Sequence, residues 1–131
     1  MTSVLFVCIG NACRSQMAEG WLKHFTAEQG REDIEVFSAG SSPMGSIPDE
    51  TKAVMLEEGI DISEQWSKSV DDLARRDFDY VISLCGDRCP AVPTLKHIDW
   101  TIEDPIGQAI EVYRAVREEL RERVKTLLDS L

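Results

Sequence analysis

The sequence predicts an α/β fold in which helices flank a parallel β-sheet. Residues 4–7 form a continuous apolar run, as expected for a strand buried on both faces. Near the carboxyl end of the chain, apolar residues recur along one side of a long segment at helical spacing. Strand-like and helix-like segments alternate between these two, which predicts successive βαβ units and therefore a parallel sheet.

Four segments have the composition of strands, namely residues 4–7, 34–37, 78–84 and 97–100. The second is ended by Gly40, and a loop rich in Pro, Gly and Ser follows it. Cys8, Cys85 and Asp104 each follow a predicted strand. Because ligands of such sheets bind beyond the carboxyl ends of the strands, we expect these three loops to meet on one edge.

Four segments are predicted as helices. The first opens at Arg14, with Ser15 as its candidate N-cap. The second runs from Asp49 to about residue 58, where Gly59 stops it, and a short capped helix covers residues 69–73. The last has its apolar residues on one side: Ile110, Val112, Tyr113, Val116, Leu120, Val124, Leu127 and Leu128.

Composition restricts the class of protein. The 131 residues suit one domain, residues 1–131, and 43% hydrophobic with 29% charged residues is typical of a globular protein. No apolar run approaches the length of a membrane span, and residues 4–7 are too short for a secretory signal, so we expect a cytoplasmic protein. The net charge of −10 argues against nucleic acid as a partner. We expect a monomer that binds neither nucleic acid nor membranes.

The segment from Cys8 to Ser15 predicts an oxyanion site. Between a strand and a helix, successive backbone N–H groups can point inward and bind an anion. Gly10 allows a positive φ angle, Asn11 tolerates a left-handed conformation and can brace the loop, and Arg14 offers a planar fork to two oxyanion oxygens. The predicted substrate-binding residues are Ile9, Gly10, Asn11, Ala12, Cys13, Arg14 and Ser15.

Cys8 is the candidate nucleophile of this loop. The inward N–H groups, Arg14 and the Ser15 hydroxyl are expected to favour its thiolate. Taken alone, Cys8 is also compatible with a buried cysteine followed by an ordinary turn. Cys13 is expected only to line the loop.

The four cysteines can also be interpreted without the oxyanion site. A structural disulfide framework is not expected in a reducing compartment, which leaves metal binding, catalysis or burial. A zinc site built from Cys8, Cys13, Cys85 and Cys89 is conceivable from their spacing. It leaves Arg14 and the anion-binding loop unexplained, and we expect no metal and no cofactor.

The motif Cys8-x5-Arg14-Ser15 resembles the signature of low-molecular-weight protein tyrosine phosphatases. The longer string at residues 10–20 resembles more closely the thioredoxin-coupled arsenate reductases built on that fold, since the phosphatase branch typically has proline where Gln16 stands. The similarity continues through Ser38-Ala39-Gly40, residues 59–63, Leu84-Cys85, Cys89-Pro90 and Asp104-Pro105.

This resemblance implies a three-layer fold with a four-stranded parallel sheet and reduction of arsenate to arsenite. It also implies a nucleophile at Cys8, an acid at Asp104, and a disulfide relay through Cys85 and Cys89 that thioredoxin restores. A glutaredoxin-type donor remains open, and Glu103 stands beside the implied acid. The alternative is a phosphatase for phosphotyrosine or small phosphoesters, which would not use the last two cysteines.

The sequence departs from these relatives at three places. Only residues 86–88 separate Cys85 from Cys89, and four extended residues span roughly 13 Å, so the segment must curl for a disulfide to close. Ile106 stands where the phosphatase branch often has an aromatic residue. Some relatives bind potassium through residues that match Asn11, Glu19 and Ser38. Lys68 replaces a carboxylate of that site, so we predict that its ammonium group pairs with Glu19 in place of the ion.

Overall fold

The computed structural model describes residues 1–75, 77–85 and 92–131. Within these residues a single four-stranded sheet runs in the order β2-β1-β3-β4, and every neighbouring pair is parallel. The strands are β1 (Thr2–Cys8), β2 (Ile34–Gly40), β3 (Phe78–Ser83) and β4 (Thr94–Asp99). The predicted parallel α/β sheet is therefore confirmed.

The helices are α1 (Arg14–Glu28), α2 (Asp49–Leu56) and α3 (Ile110–Asp129), with a 3-10 turn at Val70–Asp72. All three α-helices pack on one face of the sheet, around Val4 and Phe6 of β1. On the opposite face, Leu5 and Val7 pack against a smaller cluster that includes Leu73, just after the 3-10 turn. Alternate residues of β1 thus supply both faces, as the continuous apolar run predicts.

Two helix ends differ from the expectation. Helix α1 begins at Arg14 and its cap position is Cys13, which makes no side-chain capping bond. The prediction of Ser15 as N-cap was therefore wrong, because its hydroxyl is engaged with Cys8 instead. Helix α2 ends at Leu56, two residues before the predicted end, and Gly59 then adopts a left-handed φ of +77° that closes the turn.

The register of the sheet brings the strand ends together. Cys8 pairs with Gly40, Val7 with Ser83, and Ser83 with Asp99. The loops that follow the four strands therefore leave from the same edge, where a parallel sheet binds its ligands. No helix among the described residues combines the length and the hydrophobicity that crossing a bilayer requires.

Candidate active site

Cys8 is the last residue of β1, and its thiol lies at the base of the loop that leads into α1. The sulfur accepts a hydrogen bond from the backbone N–H of Asn11 at 3.2 Å and lies 2.9 Å from Ser15 Oγ. Cys8 is almost fully buried, with 2% of its surface exposed. The loop thus folds over the sulfur and directs donors toward it, as the sequence predicts.

The left-handed residue of this loop is Asn11, with φ of 45°, and not Gly10. The expectation for Asn11 is confirmed, whereas Gly10 is not among the residues with positive φ. A Cβ at Gly10 would lie 3.1 Å from Met44 Cγ, a tight contact that a small shift of the exposed Met44 side chain relieves. Gly40 of the neighbouring strand is more tightly constrained, because its Cβ would lie 2.4 Å from the carbonyl oxygen of Ile9.

Asn11 holds the loop together through both ends of its amide. Its Oδ1 accepts from the backbone N–H of Lys68 at 2.9 Å, which fixes the orientation of the amide because that group can only donate. Its Nδ2 consequently donates to Ser15 Oγ at 2.8 Å and to Ser38 Oγ at 3.1 Å. Asn11 therefore connects three separate segments of the chain behind the loop.

The direction of these bonds settles the role of Ser15. Its hydroxyl oxygen accepts from Asn11, so its single proton is available to the Cys8 sulfur 2.9 Å away. A thiolate at Cys8 would thus receive one hydrogen bond from a backbone amide and one from a hydroxyl. Both bonds strengthen when the sulfur is ionised.

Arg14 is held across the edge of the sheet by two other loops. Its NH1 group donates to the carbonyl oxygens of Leu84 at 3.0 Å and Ile102 at 3.2 Å. Its NH2 group lies 3.7 Å from Asp104 Oδ2. The predicted acid is therefore beside the predicted oxyanion fork. Glu103 instead accepts from the side chain of Gln108 at 2.8 Å.

A cavity of about 200 Å³ opens over these groups. Its lining includes Cys8, Arg14, Asp104 and four residues of the predicted binding loop: Ile9, Gly10, Ala12 and Cys13. Asn11 and Ser15 do not line it, because both are fully buried behind the loop. Two larger cavities, of about 430 and 460 Å³, lie against α3 and contain no cysteine.

Cys13 differs from Cys8 in its surroundings. Thr51 Oγ1 contacts its sulfur at 3.1 Å, and burial raises the pKa of the Cys13 thiol to about 11. At neutral pH this thiol is therefore protonated, which agrees with a residue that only lines the loop.

A buried ion pair lies behind the loop. Lys68 Nζ is 3.8 Å from Glu19 Oε1, and both side chains are almost fully buried. Ser38 donates a short hydrogen bond to the same carboxylate, and Lys23 Nζ reaches its other oxygen at 2.5 Å. Burial lowers the pKa of Lys68, while Glu19 acts in the opposite direction. The predicted pairing of Lys68 with Glu19 is confirmed.

The cysteines are in two states. Cys8 and Cys13 are free thiols, whereas Cys85 is disulfide-bonded. Cys85 follows Leu84, whose carbonyl oxygen Arg14 holds. The other predicted relay residue, Cys89, lies outside the described residues. Across residues 1–75, 77–85 and 92–131, no three His, Cys, Asp or Glu side chains form a group suited to a metal ion.

Gln16 and Gln65 are parts of the site for which residue spacing gives no signal. Gln16 is fully buried and donates to the oxygens of Asn11, and Gln65 donates to Gln16. The two glutamines lie 49 positions apart, so only the fold brings them together. The one available signal is that Gln16 differs from the phosphatase pattern.

The sequences of known proteins that resemble this chain are consistent with the site described above. The profile of the family described as "Low molecular weight phosphotyrosine protein phosphatase" matches residues 3–131. The chain is 40% identical to an arsenate reductase of Halalkalibacterium halodurans over 97% of this chain and 95% of that one. It is 44% identical to a glutaredoxin arsenate reductase of Synechocystis over 100% and 99% of the two chains.

Solved structures give the same relationship. "An arsenate reductase in the phosphate binding state" is 41% identical with a TM-score of 0.86, over 99% of this chain and 98% of that one. The thioredoxin-dependent arsenate reductase of Corynebacterium glutamicum is 36% identical with a TM-score of 0.78, over 99% of this chain and 61% of that one. A low molecular weight protein tyrosine phosphatase from T. tengcongensis is 31% identical with a TM-score of 0.82, over the whole of both chains.

Proposed function

The chain belongs to the low molecular weight phosphotyrosine protein phosphatase family, and we propose that within it this protein reduces arsenate to arsenite. The observation that carries the proposal is that the chain has a free Cys8 thiol in an oxyanion cavity and a second, disulfide-bonded cysteine, Cys85, two residues beyond the end of the neighbouring strand β3. A hydrolytic phosphatase needs the first of these features but has no use for the second. The names of the relatives support the same choice.

In the first step the Cys8 thiolate attacks arsenic(V). The loop amides and the Arg14 fork hold the oxyanion, and donors to the sulfur favour the ionised nucleophile. A sulfur–arsenic bond forms and an oxygen of arsenate leaves as water. Asp104, half exposed beside Arg14, supplies the proton to that leaving oxygen.

In the second step the Cys85 thiolate attacks the Cys8 sulfur. The sulfur–arsenic bond breaks, its electron pair stays on arsenic, and arsenite leaves. Arsenic gains two electrons and the two thiols lose them as a Cys8–Cys85 disulfide. Cys89 then attacks Cys85, which forms a second disulfide and returns Cys8 to the thiol.

An external dithiol must then reduce the enzyme, and we propose thioredoxin for that role. The relatives include one named as thioredoxin-dependent and one named as a glutaredoxin arsenate reductase. The donor is therefore tested in parallel arms, with thioredoxin, thioredoxin reductase and NADPH in one and glutathione with glutaredoxin in the other. Faster arsenate turnover in the glutaredoxin arm would overturn the choice of donor and leave arsenate reduction intact.

The chemistry is tested by trapping the relay. After one turnover of arsenate, mass spectrometry of the wild type should find a Cys85–Cys89 disulfide and a reduced Cys8. In Cys89→Ser we expect a trapped Cys8–Cys85 disulfide, one equivalent of arsenite and no further turnover. Arsenate turnover by Cys89→Ser at the wild-type rate would contradict the relay.

The phosphatase alternative is favoured by one observation, the complete set of Cys8, Arg14 and Asp104 around the cavity. A phosphatase that uses only this set would hydrolyse an aryl phosphate equally well in the wild type and in Cys85→Ser, and the wild type would fail to reduce arsenate. Ile106 lines the cavity, so no aromatic side chain at that position stacks on an aryl phosphate.

A further inference from the structure

We propose that Gln16 and Gln65 are a positioning pair that holds the oxyanion loop in its binding conformation before any anion binds. This role rests on the proposed function in one respect, namely that the ligand of the loop is an oxyanion. Neither side chain lines the cavity, so both act through Asn11 rather than on the substrate.

The orientation of the Gln16 amide is fixed by its surroundings. Its Nε2 group lies 3.1 Å from the backbone oxygen of Asn11, 2.9 Å from Asn11 Oδ1 and 2.8 Å from the backbone oxygen of Trp66. All three are acceptors, so Nε2 must face them and Oε1 must face away. Gln65 Nε2 then donates to that Oε1 at 2.8 Å and to the backbone oxygen of Gln16 at 3.1 Å. The bonds therefore run in one direction, from Gln65 through Gln16 to Asn11.

The loop needs such a support because its conformation is unfavourable without a ligand. Asn11 has a φ of 45°, in the left-handed region that asparagine tolerates better than most residues but that still needs support from its surroundings. The backbone N–H of Asn11 already points at the Cys8 sulfur, and the partial positive charges that gather in an anion-binding loop repel one another until an anion binds. Gln16 contacts both the backbone and the side-chain oxygen of Asn11, which fixes the residue that turns its N–H group toward Cys8.

Gln65 also ties the pair to a segment that supports the loop independently. Ser67 Oγ donates to the backbone oxygen of Gly10 at 3.0 Å, and the backbone N–H of Lys68 donates to Asn11 Oδ1. Segment 65–68 thus holds two adjacent loop residues from behind. When the loop is already in its binding conformation, less of the free energy of anion binding is lost to ordering the loop.

The experiment uses the reduced protein with inorganic phosphate as the probe. Gln16→Met keeps the length of the side chain and removes the donor. We expect phosphate affinity measured by calorimetry to fall by about 10-fold, as for loss of a buried hydrogen bond. The KM for arsenate should rise in proportion with little change in kcat. The rate of Cys8 alkylation by iodoacetamide at neutral pH, followed by mass spectrometry, should fall.

Gln65→Leu provides a second variant at a partly exposed position, where a failure to fold is not expected. We expect a loss of about 3-fold in phosphate affinity. Added to Gln16→Met it should cost nothing further, because both changes interrupt the same series of bonds. Gln29→Met, on the exposed carboxyl end of α1, is the matched control and should leave phosphate affinity and alkylation unchanged.

If Gln16→Met and Gln65→Leu both keep the phosphate affinity and the Cys8 alkylation of the wild type, the proposal is overturned. This holds even if their melting temperature is lowered, since a purely structural role predicts that result. Additive losses in the double variant would overturn the pairing. Neither measurement requires arsenate reduction. A chain that fails to reduce arsenate but shows these shifts would refute the proposed function and keep the positioning pair.

Discussion

The cavity side and the buried side of the oxyanion loop differ in how their residues find partners. On the cavity side, Cys8 and Arg14 bond to backbone groups, and Arg14 lies beside Asp104. On the buried side, the amide groups of Asn11 and Gln16 bond to one another and to segment 65–68, which does not line the cavity. The cavity side carries the reacting groups, and the buried side determines where those groups point.

The largest expected effect is on the cavity side, at Arg14. Arg14→Lys keeps the charge but loses the planar fork, and an ammonium group cannot hold the carbonyls of Leu84 and Ile102 while it binds two oxyanion oxygens. We expect kcat/KM for arsenate to fall by about 1,000-fold. Arg123→Lys, at a surface ion pair on α3, should change it little. A loss of less than tenfold at Arg14 would mean that the backbone donors alone bind the anion.

The buried side is tested next, through Glu19. In Glu19→Gln the buried Lys68 loses the carboxylate that offsets its burial, so we expect the free energy of unfolding to fall by about 3 kcal/mol. Glu28→Gln on the same helix removes the partner of His24 at the surface and should cost about 0.5 kcal/mol or less. Urea denaturation measures both. Equal losses would show that Glu19 is not effectively buried.

This contrast explains which parts of the site the sequence could predict. Cys8 and Arg14 follow a buried strand at a spacing that the chemistry requires, so residue types and local pattern were sufficient. Gln16 was visible only as an unusual residue, because its partners Gln65 and Trp66 come from a distant loop. The residue type of Gly10 allows a positive φ, but in the fold it is Asn11 that adopts one.

The buried thiol of Cys13 makes the free energy of unfolding depend on pH. The pKa of Cys13 is raised from 9.0 to about 11, so between these values the folded protein keeps a proton that the unfolded chain releases. Stability should therefore fall as the pH rises through this window, by about 2–3 kcal/mol at about 1.4 kcal/mol per pKa unit. Cys13→Ala should lack that part of the decrease. Parallel unfolding curves for both proteins from pH 9 to 11 would contradict the burial of a neutral thiol.

Ser15 lies where the two sides meet, since it receives a bond from Asn11 and directs its proton to Cys8. Ser15→Ala leaves the loop supported by Gln16 and Lys68 but removes one donor to the sulfur. We expect kcat/KM for arsenate to fall by about 10-fold, the effect of one charge-assisted hydrogen bond. Cys8 alkylation near neutral pH should slow in parallel, whereas Ser130→Ala at the end of α3 should change neither rate. An unchanged alkylation rate would place the Ser15 proton elsewhere.

The smallest expected effect concerns the cation behind the loop. The Lys68 ammonium group contacts Glu19, Ser38 and the backbone oxygen of Trp66, and it lies 4.6 Å from the centroid of the Trp66 ring. With a positive charge already in place, potassium should change the arsenate reduction rate no more than sodium at equal ionic strength. In Lys68→Met the carboxylate of Glu19 keeps the hydrogen bond from Ser38 and the half-exposed Lys23 as a cation but loses the buried ammonium group, so potassium should now raise the rate or the melting temperature. A clear requirement for potassium in the wild type would show that the ammonium group does not replace the ion, and the buried side would then depend on a ligand as the cavity side does.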